Sequence, residues 1–197
     1  MNSIATIVEG QSEVDSIRVL LERLLYERLQ VSGIVIAEPF RVKRQRVVKE
    51  NNLEKAIDTV LIDRKNVKGI LVILDADKDC PSELGQDLFC RADNVTNVAV
   101  DVVLPNRNFE SWFLAGKSSL SCDQRFPDHI ESYDSPECIT ATKTHLSDNM
   151  KDGYSYESTI DQASFIRILD IEETRENSPS FDKMIRATEG LVDVITQ

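Results

Sequence analysis

The sequence predicts an α/β fold built on a parallel, four-stranded sheet, and three observations predict it. Short apolar, β-branched runs alternate with segments of helical periodicity over residues 1–116. One run, 70–74, is continuously apolar, as a strand buried on both faces must be. The links between the runs are short, which favours parallel strands with helices on the sheet faces. From Lys117 onward the pattern changes to loops and helices. The expected organisation is therefore an α/β domain over 1–116 and a mainly helical C-terminal extension over 117–197 packed on it.

Residues 4–8 form the first strand, which stops at Glu9-Gly10. Val14, Ile17, Leu20, Leu21, Leu24 and Leu25 then recur at helical spacing. Ser12 with Asp15 resembles a capping signal and makes Ser12 the expected N-cap. A second strand is expected at 34–36, and the stretch 41–49 should be extended or looped. Leu53, Ile57, Val60 and Leu61 mark a helix near 53–63. The third strand, 70–74, ends abruptly in Asp75-Ala76-Asp77-Lys78-Asp79, and Pro81-Ser82 open a helix to about Arg91. A fourth strand at 98–104 closes at Pro105, and a short helix covers 109–115. Further helical patterns lie near 139–150, 160–169 and 181–194.

With 197 residues, 41% of them apolar, the chain can bury a real core. No run approaches 18 apolar residues, so no transmembrane helix is expected. The start, Met1-Asn2-Ser3-Ile4-Ala5, lacks the basic and apolar regions of a signal peptide, which makes a cytoplasmic location the expectation. Cys80, Cys90, Cys122 and Cys138 contain no C-x-x-C pair and form no disulfide scaffold. They are expected to be reduced and partly buried. A net charge of −11 weighs against nonspecific nucleic-acid binding, although carboxylates gathered for a metal would also lower the total.

The carboxylates carry the functional signal. In a parallel α/β sheet, ligands bind outside the carboxyl ends of the strands. Glu9 follows the first strand, Asp75 and Asp77 follow the third, and Glu13 lies one helical turn beyond Glu9. Such a cluster repels itself and raises its own pKa values unless a cation offsets the charge. Magnesium, or manganese in its place, suits oxygen ligands of this kind. Gly10 fits a tight turn. Taken singly, an Asp or Glu after a strand also serves as an ordinary turn or capping residue.

Glu9-Gly10 and Asp75-x-Asp77 together resemble a Toprim domain, shared by topoisomerases, primases, OLD-type nucleases and small RNA-maturation nucleases. The match is closest to stand-alone Toprim-like proteins of bacteria and archaea. Val8-Glu9-Gly10-x-x-Glu13, the segment from Asn108 to Ala115, Asp161-Gln162 and Ser178-Pro179-Ser180-Phe181 carry it across most of the chain. The resemblance implies that Glu9 and Glu13 help to hold one of two metals. It also implies that Glu110 is the acidic residue of a Phe-Glu-x-Trp segment, where a helix-opening acid is the plainer alternative. The chain has no room for a topoisomerase cleavage domain and no G-x-x-x-x-G-K-[ST] motif of its own. A catalytic cation is expected beside the metals, with Lys143 and Lys78 the candidates; the resembling proteins carry a lysine where this chain has Ser158, so that position does not supply it.

Other features have two readings each. Arg41, Lys43, Arg44, Arg46 and Lys49 form a basic stripe that could track phosphates, or a solvated loop or charge-protected edge. Cys122, His129, Cys138 and His145 have spacings that fit no usual zinc site. Trp112 and Phe113 read as packing residues, and Ser178-Pro179-Ser180 as a turn before the last helix.

The expected function is a magnesium-dependent nuclease, with Glu9, Glu13, Asp75, Asp77 and Glu110 holding metals and Lys143 offsetting charge. Its partners would be nucleic acid and, by resemblance, a separate ATPase in antiviral defence. No membrane is involved, and a homodimer is an admissible assembly. The alternative is a non-catalytic Toprim-like subunit of a larger nucleic-acid-processing complex. A receiver-like switch fits the Glu-Gly turn and Glu110 poorly.

Overall fold

The computed structural model describes residues 1–130 and 133–197. The chain runs β1 (Asn2–Val8), α1 (Gln11–Arg23) with a π turn at Leu24–Arg28, β2 (Ile34–Ile36), β3 (Phe40–Arg41), α2 (Arg44–Val47), α3 (Asn52–Asp63) and β4 (Val67–Ile73). It continues through α4 (Pro81–Asp93), β5 (Ala99–Val103), α5 (Ser111–Ala115) and 3-10 turns at Lys117–Cys122 and Pro136–Cys138. The last four elements are α6 (Thr142–Asp148), α7 (Ser158–Ile168), α8 (Ile171–Asn177) and α9 (Pro179–Thr196). Among the described residues, no helix is long and apolar enough to cross a membrane.

The sheet is parallel throughout, in the order β2-β1-β4-β5. The fifth strand, β3, pairs with the end of β1 through Ile7↔Phe40 and Val8↔Arg41. Two residues in a polar stretch carry no alternation, which is why the sequence suggested four strands rather than five.

Alternation along the strands builds two cores. Ile4, Val8, Leu71, Ile73 and Val103 share one core with Ile17, Leu20 and Leu21 of α1, Phe165 of α7 and Phe181 and Leu191 of α9. Ala5, Ile7, Ile70, Val72, Val100 and Val102 share the other with Leu53, Ile57 and Val60 of α3 and Leu88 of α4. The helices beyond residue 117 thus supply much of one layer of the fold. Gly69 permits the close approach of α9 to β4, since a Cβ there would lie 3.1 Å from Ile195 Cδ1. Lys183 Nζ reaches Asp101 Oδ1 at 2.7 Å and ties α9 to β5.

Several local expectations are corrected. α1 starts at Gln11 with Gly10 as N-cap, because the Glu13 carboxylate turns back to accept the Gly10 N–H. Ser12 is inside the first turn, where its carbonyl accepts the Ser16 hydroxyl at 2.6 Å. The stretch 41–49 is not simply looped, for it ends β3 and forms α2. α8 escaped notice because IEETREN has no apolar period; the Asp170 carboxylate caps it by accepting Glu173 N–H at 2.9 Å. The four cysteines are free, and all are exposed rather than partly buried. Trp112 and Phe113, by contrast, are core residues as expected, with Trp112 Nε1 donating to Ser180 Oγ at 2.8 Å. Ser178 caps α9 by accepting Phe181 N–H at 3.1 Å.

Candidate functional site

Parallel strands deliver their C-terminal ends to one edge, and the acidic residues collect there. Glu9 follows β1 and Glu13 sits in the first turn of α1. Asp75 and Asp77 follow β4, and Glu110 immediately precedes α5, beyond β5. The β4 and β5 loops are stitched together by Ala76 N–H to Pro105 O (3.1 Å) and Asp77 N–H to Arg107 O (2.8 Å). Asp75 Oδ1 accepts the Phe109 N–H at 2.9 Å, which brings Asp75 next to Glu110.

The carboxylates feel one another. Burial raises the Asp75 carboxyl well above its ordinary value, and Glu13, Glu110 and Glu9 push it further in the same direction. Burial also raises Glu9, helped by Glu13 and Asp77. Glu13 is raised by burial and by Glu110, against the opposing Gly10 N–H and Lys143. Glu110 is buried, accepting the Tyr156 hydroxyl at 3.2 Å, with Lys143 Nζ 3.4 Å from the same oxygen. Burial first, and then Glu110 and the other neighbouring carboxylates, push the Tyr156 hydroxyl well above its ordinary value. The site therefore unites Glu9, Glu13, Asp75, Glu110 and Lys143, with Asp77 exposed at its rim in a left-handed conformation (φ 55°).

Arg44 has a role that its place in the basic stripe does not suggest. It is buried, and its Nε donates to Asp75 O at 2.7 Å and its Nη2 to Ala76 O at 3.0 Å. The same guanidinium pairs with Asp79 and lies 3.5 Å from Asp77 Oδ2. It clamps the acidic loop. Arg41, Lys43, Arg46 and Lys49 are exposed, so the stripe does not act as one unit. Lys78 is exposed on the β4 loop, while Lys143 is the lysine that reaches a carboxylate of the cluster.

Sequence reasoning missed Tyr156, which stands in a polar stretch without a distinguishing local pattern, and the clamp formed by Arg44. The second could have been sought as a buried partner for the Asp75–Asp79 acids.

The donor set is all carboxylate oxygen, suited to a hard divalent cation. Among the described residues, no three His, Cys, Asp or Glu side chains stand close enough, as placed, to hold a metal ion. That statement covers both the acidic set and Cys122, His129, Cys138 and His145.

Fold and site together define an α/β protein with a parallel sheet and an electrostatically coupled acidic edge. The chain belongs to the family described as Domain of unknown function (DUF4276), whose model matches residues 8–189. No curated protein and no solved structure matches it.

Proposed function

We propose that the protein is a magnesium- or manganese-dependent nuclease that hydrolyses phosphodiesters at the acidic edge of the sheet. The observation that carries this reading is the gathering of Glu9, Glu13, Asp75 and Glu110 at the C-terminal edge of the sheet, where burial and the neighbouring acids raise the Asp75, Glu9 and Glu13 carboxyls. The Toprim-like resemblance of Glu9-Gly10-x-x-Glu13 and Asp75-x-Asp77 supports it. Glu9, Glu13, Asp75 and Asp77 would hold the metals, with Glu110 completing the set. A bound divalent cation supplies Lewis-acid polarisation of a phosphate and the charge that relieves the carboxylates.

The rest belongs to the chain itself. Arg44 fixes the Asp75–Asp79 backbone, so the loop carboxylates need little reorganisation. Tyr156 holds Glu110 in place by its hydroxyl. Lys143, more than half exposed, can leave Glu110 and meet negative charge that develops on a phosphate. The enzyme would act in the cytoplasm and, by resemblance, beside a separate ATPase in antiviral defence.

A second reading, a non-catalytic regulatory or binding subunit, is favoured by one observation: the described carboxylates do not stand at metal-holding distance as placed. A cleavage assay separates the two. Single- and double-stranded DNA and RNA are incubated with magnesium or manganese. Cleavage by the unaltered protein should fall roughly a hundredfold or more in Asp77→Ala and Asp75→Asn, with circular dichroism unchanged. Unchanged cleavage in folded variants removes the assignment, and no cleavage of any substrate favours the subunit reading.

A further inference from the structure

Beside the carboxylates runs a groove of about 650 Å³, walled by the β4 loop, the β5 loop and the segment before α6. Its lining includes Arg44, Asp77, Lys78, Asp79, Arg107 and Asn108. Arg44 already answers Asp77 and Asp79. Lys78 and Arg107 are left as surplus cations, for neither side chain has a partner among the described residues. In a chain of net charge −11, this groove is lined by Arg44, Lys78 and Arg107 against Asp77 and Asp79, and it opens at the rim of the acidic edge.

The backbone fixes their position. Asp77 N–H donates to Arg107 O at 2.8 Å, and both residues hold left-handed conformations, φ 55° and 64°. Non-glycine residues seldom adopt that conformation without a constraint from their surroundings. Across the groove, the Thr142 hydroxyl donates to Asn108 Oδ1 at 2.8 Å and joins the third wall to the second. The two loops cannot move apart without breaking these bonds, so Arg107 stays beside Asp77.

We infer that this groove is a phosphate-binding subsite, in which Arg107 and Lys78 hold the strand that flanks the phosphodiester under attack. The inference rests on the nuclease reading for the identity of the ligand, a nucleic-acid strand. The guanidinium offers a planar fork for phosphate oxygens and the ammonium a point charge, the usual division of labour at a nucleic-acid backbone. The volume is that of a small-ligand cleft, which suits part of one extended strand rather than a duplex. With so few phosphate contacts, binding should have a shallow salt dependence.

The test is fluorescence anisotropy with labelled eight-nucleotide DNA and RNA, in EDTA and in calcium, over a range of salt concentrations. Arg107→Asn suits the left-handed backbone, and Lys78→Gln is the second variant. Each should weaken binding by roughly fivefold or more and reduce the salt slope by about 0.7. Arg167→Gln, at the far end of α7, should bind as the unaltered protein does. Equal losses for DNA and RNA identify the phosphate as the group held, whereas a loss confined to RNA overturns that assignment. Unchanged affinity and slope in both groove variants overturn the inference, as does failure of the unaltered protein to bind either strand. The metal reading is scored separately, by the melting-temperature shift with magnesium. Absence of that shift alongside normal groove binding would remove the metal site and leave the groove standing.

Discussion

Asp75 shows how single residues shape the site. Its carboxyl is raised by burial first and by Glu13, Glu110 and Glu9 next, so the folded state binds that proton more tightly than the unfolded chain does. Stability from such a group is complete below its unfolded value and is lost as pH rises through the folded one. Glu9 and Glu13 shift the same way and add to the effect. Without divalent cation, the melting temperature should therefore decline as pH rises from about 4. Asp75→Asn should flatten the decline, since its amide oxygen can still accept the Phe109 N–H. Magnesium should restore stability most at high pH, where protons no longer compete. Thermal melts across pH with EDTA or magnesium check this, and a flat profile in the unaltered protein would contradict it. The same residues show what sequence could reveal. Glu9, Glu13, Asp75 and Asp77 were legible because strand ends mark one edge of a parallel sheet. Arg44 and Tyr156 were not, because their partners lie 31 and 46 residues away.

At the scale of elements, the packing of the last helices on α5 leaves little slack. A Cβ on Gly116 would sit 2.0 Å from Thr174 Oγ1 and 2.8 Å from Leu169 Cδ1. Thr174 is itself buried, with its hydroxyl donating to Asp170 O. Gly116→Ala should cost about 2–3 kcal/mol by overpacking, a fall of roughly 5–10 °C in Tm for a chain of this size. Thr174→Ala in the same chain should return part of the loss, which a double-mutant cycle would measure. An unchanged Tm in Gly116→Ala would contradict the contact. Elements with a strong apolar period, such as α1 and α3, or a continuous apolar run, such as β4, were readable from sequence. β3, α2 and α8 were not, because each is short and set by pairing or capping.

For the whole molecule, the sequence suggested a domain at 1–116 with a helical extension packed on it. The packing found is intimate. One core joins Ile4, Val8, Leu71 and Val103 of the sheet to Phe165, Phe181 and Leu191 of the later helices. A protein ending at residue 116 would keep α1 on that sheet face but expose to water the part that the later helices cover. It should show no cooperative thermal transition and should bind hydrophobic dyes. A cooperative, native-like melt of the truncated chain would contradict the shared core.

The central claim is a divalent-cation site at the acidic edge, and manganese titration followed by electron paramagnetic resonance tests it most directly. The free-ion signal should be suppressed saturably by the unaltered protein at pH 8 and far less by Asp75→Asn, with magnesium displacing the bound manganese. Equal suppression by both proteins, or none by either, would contradict the account.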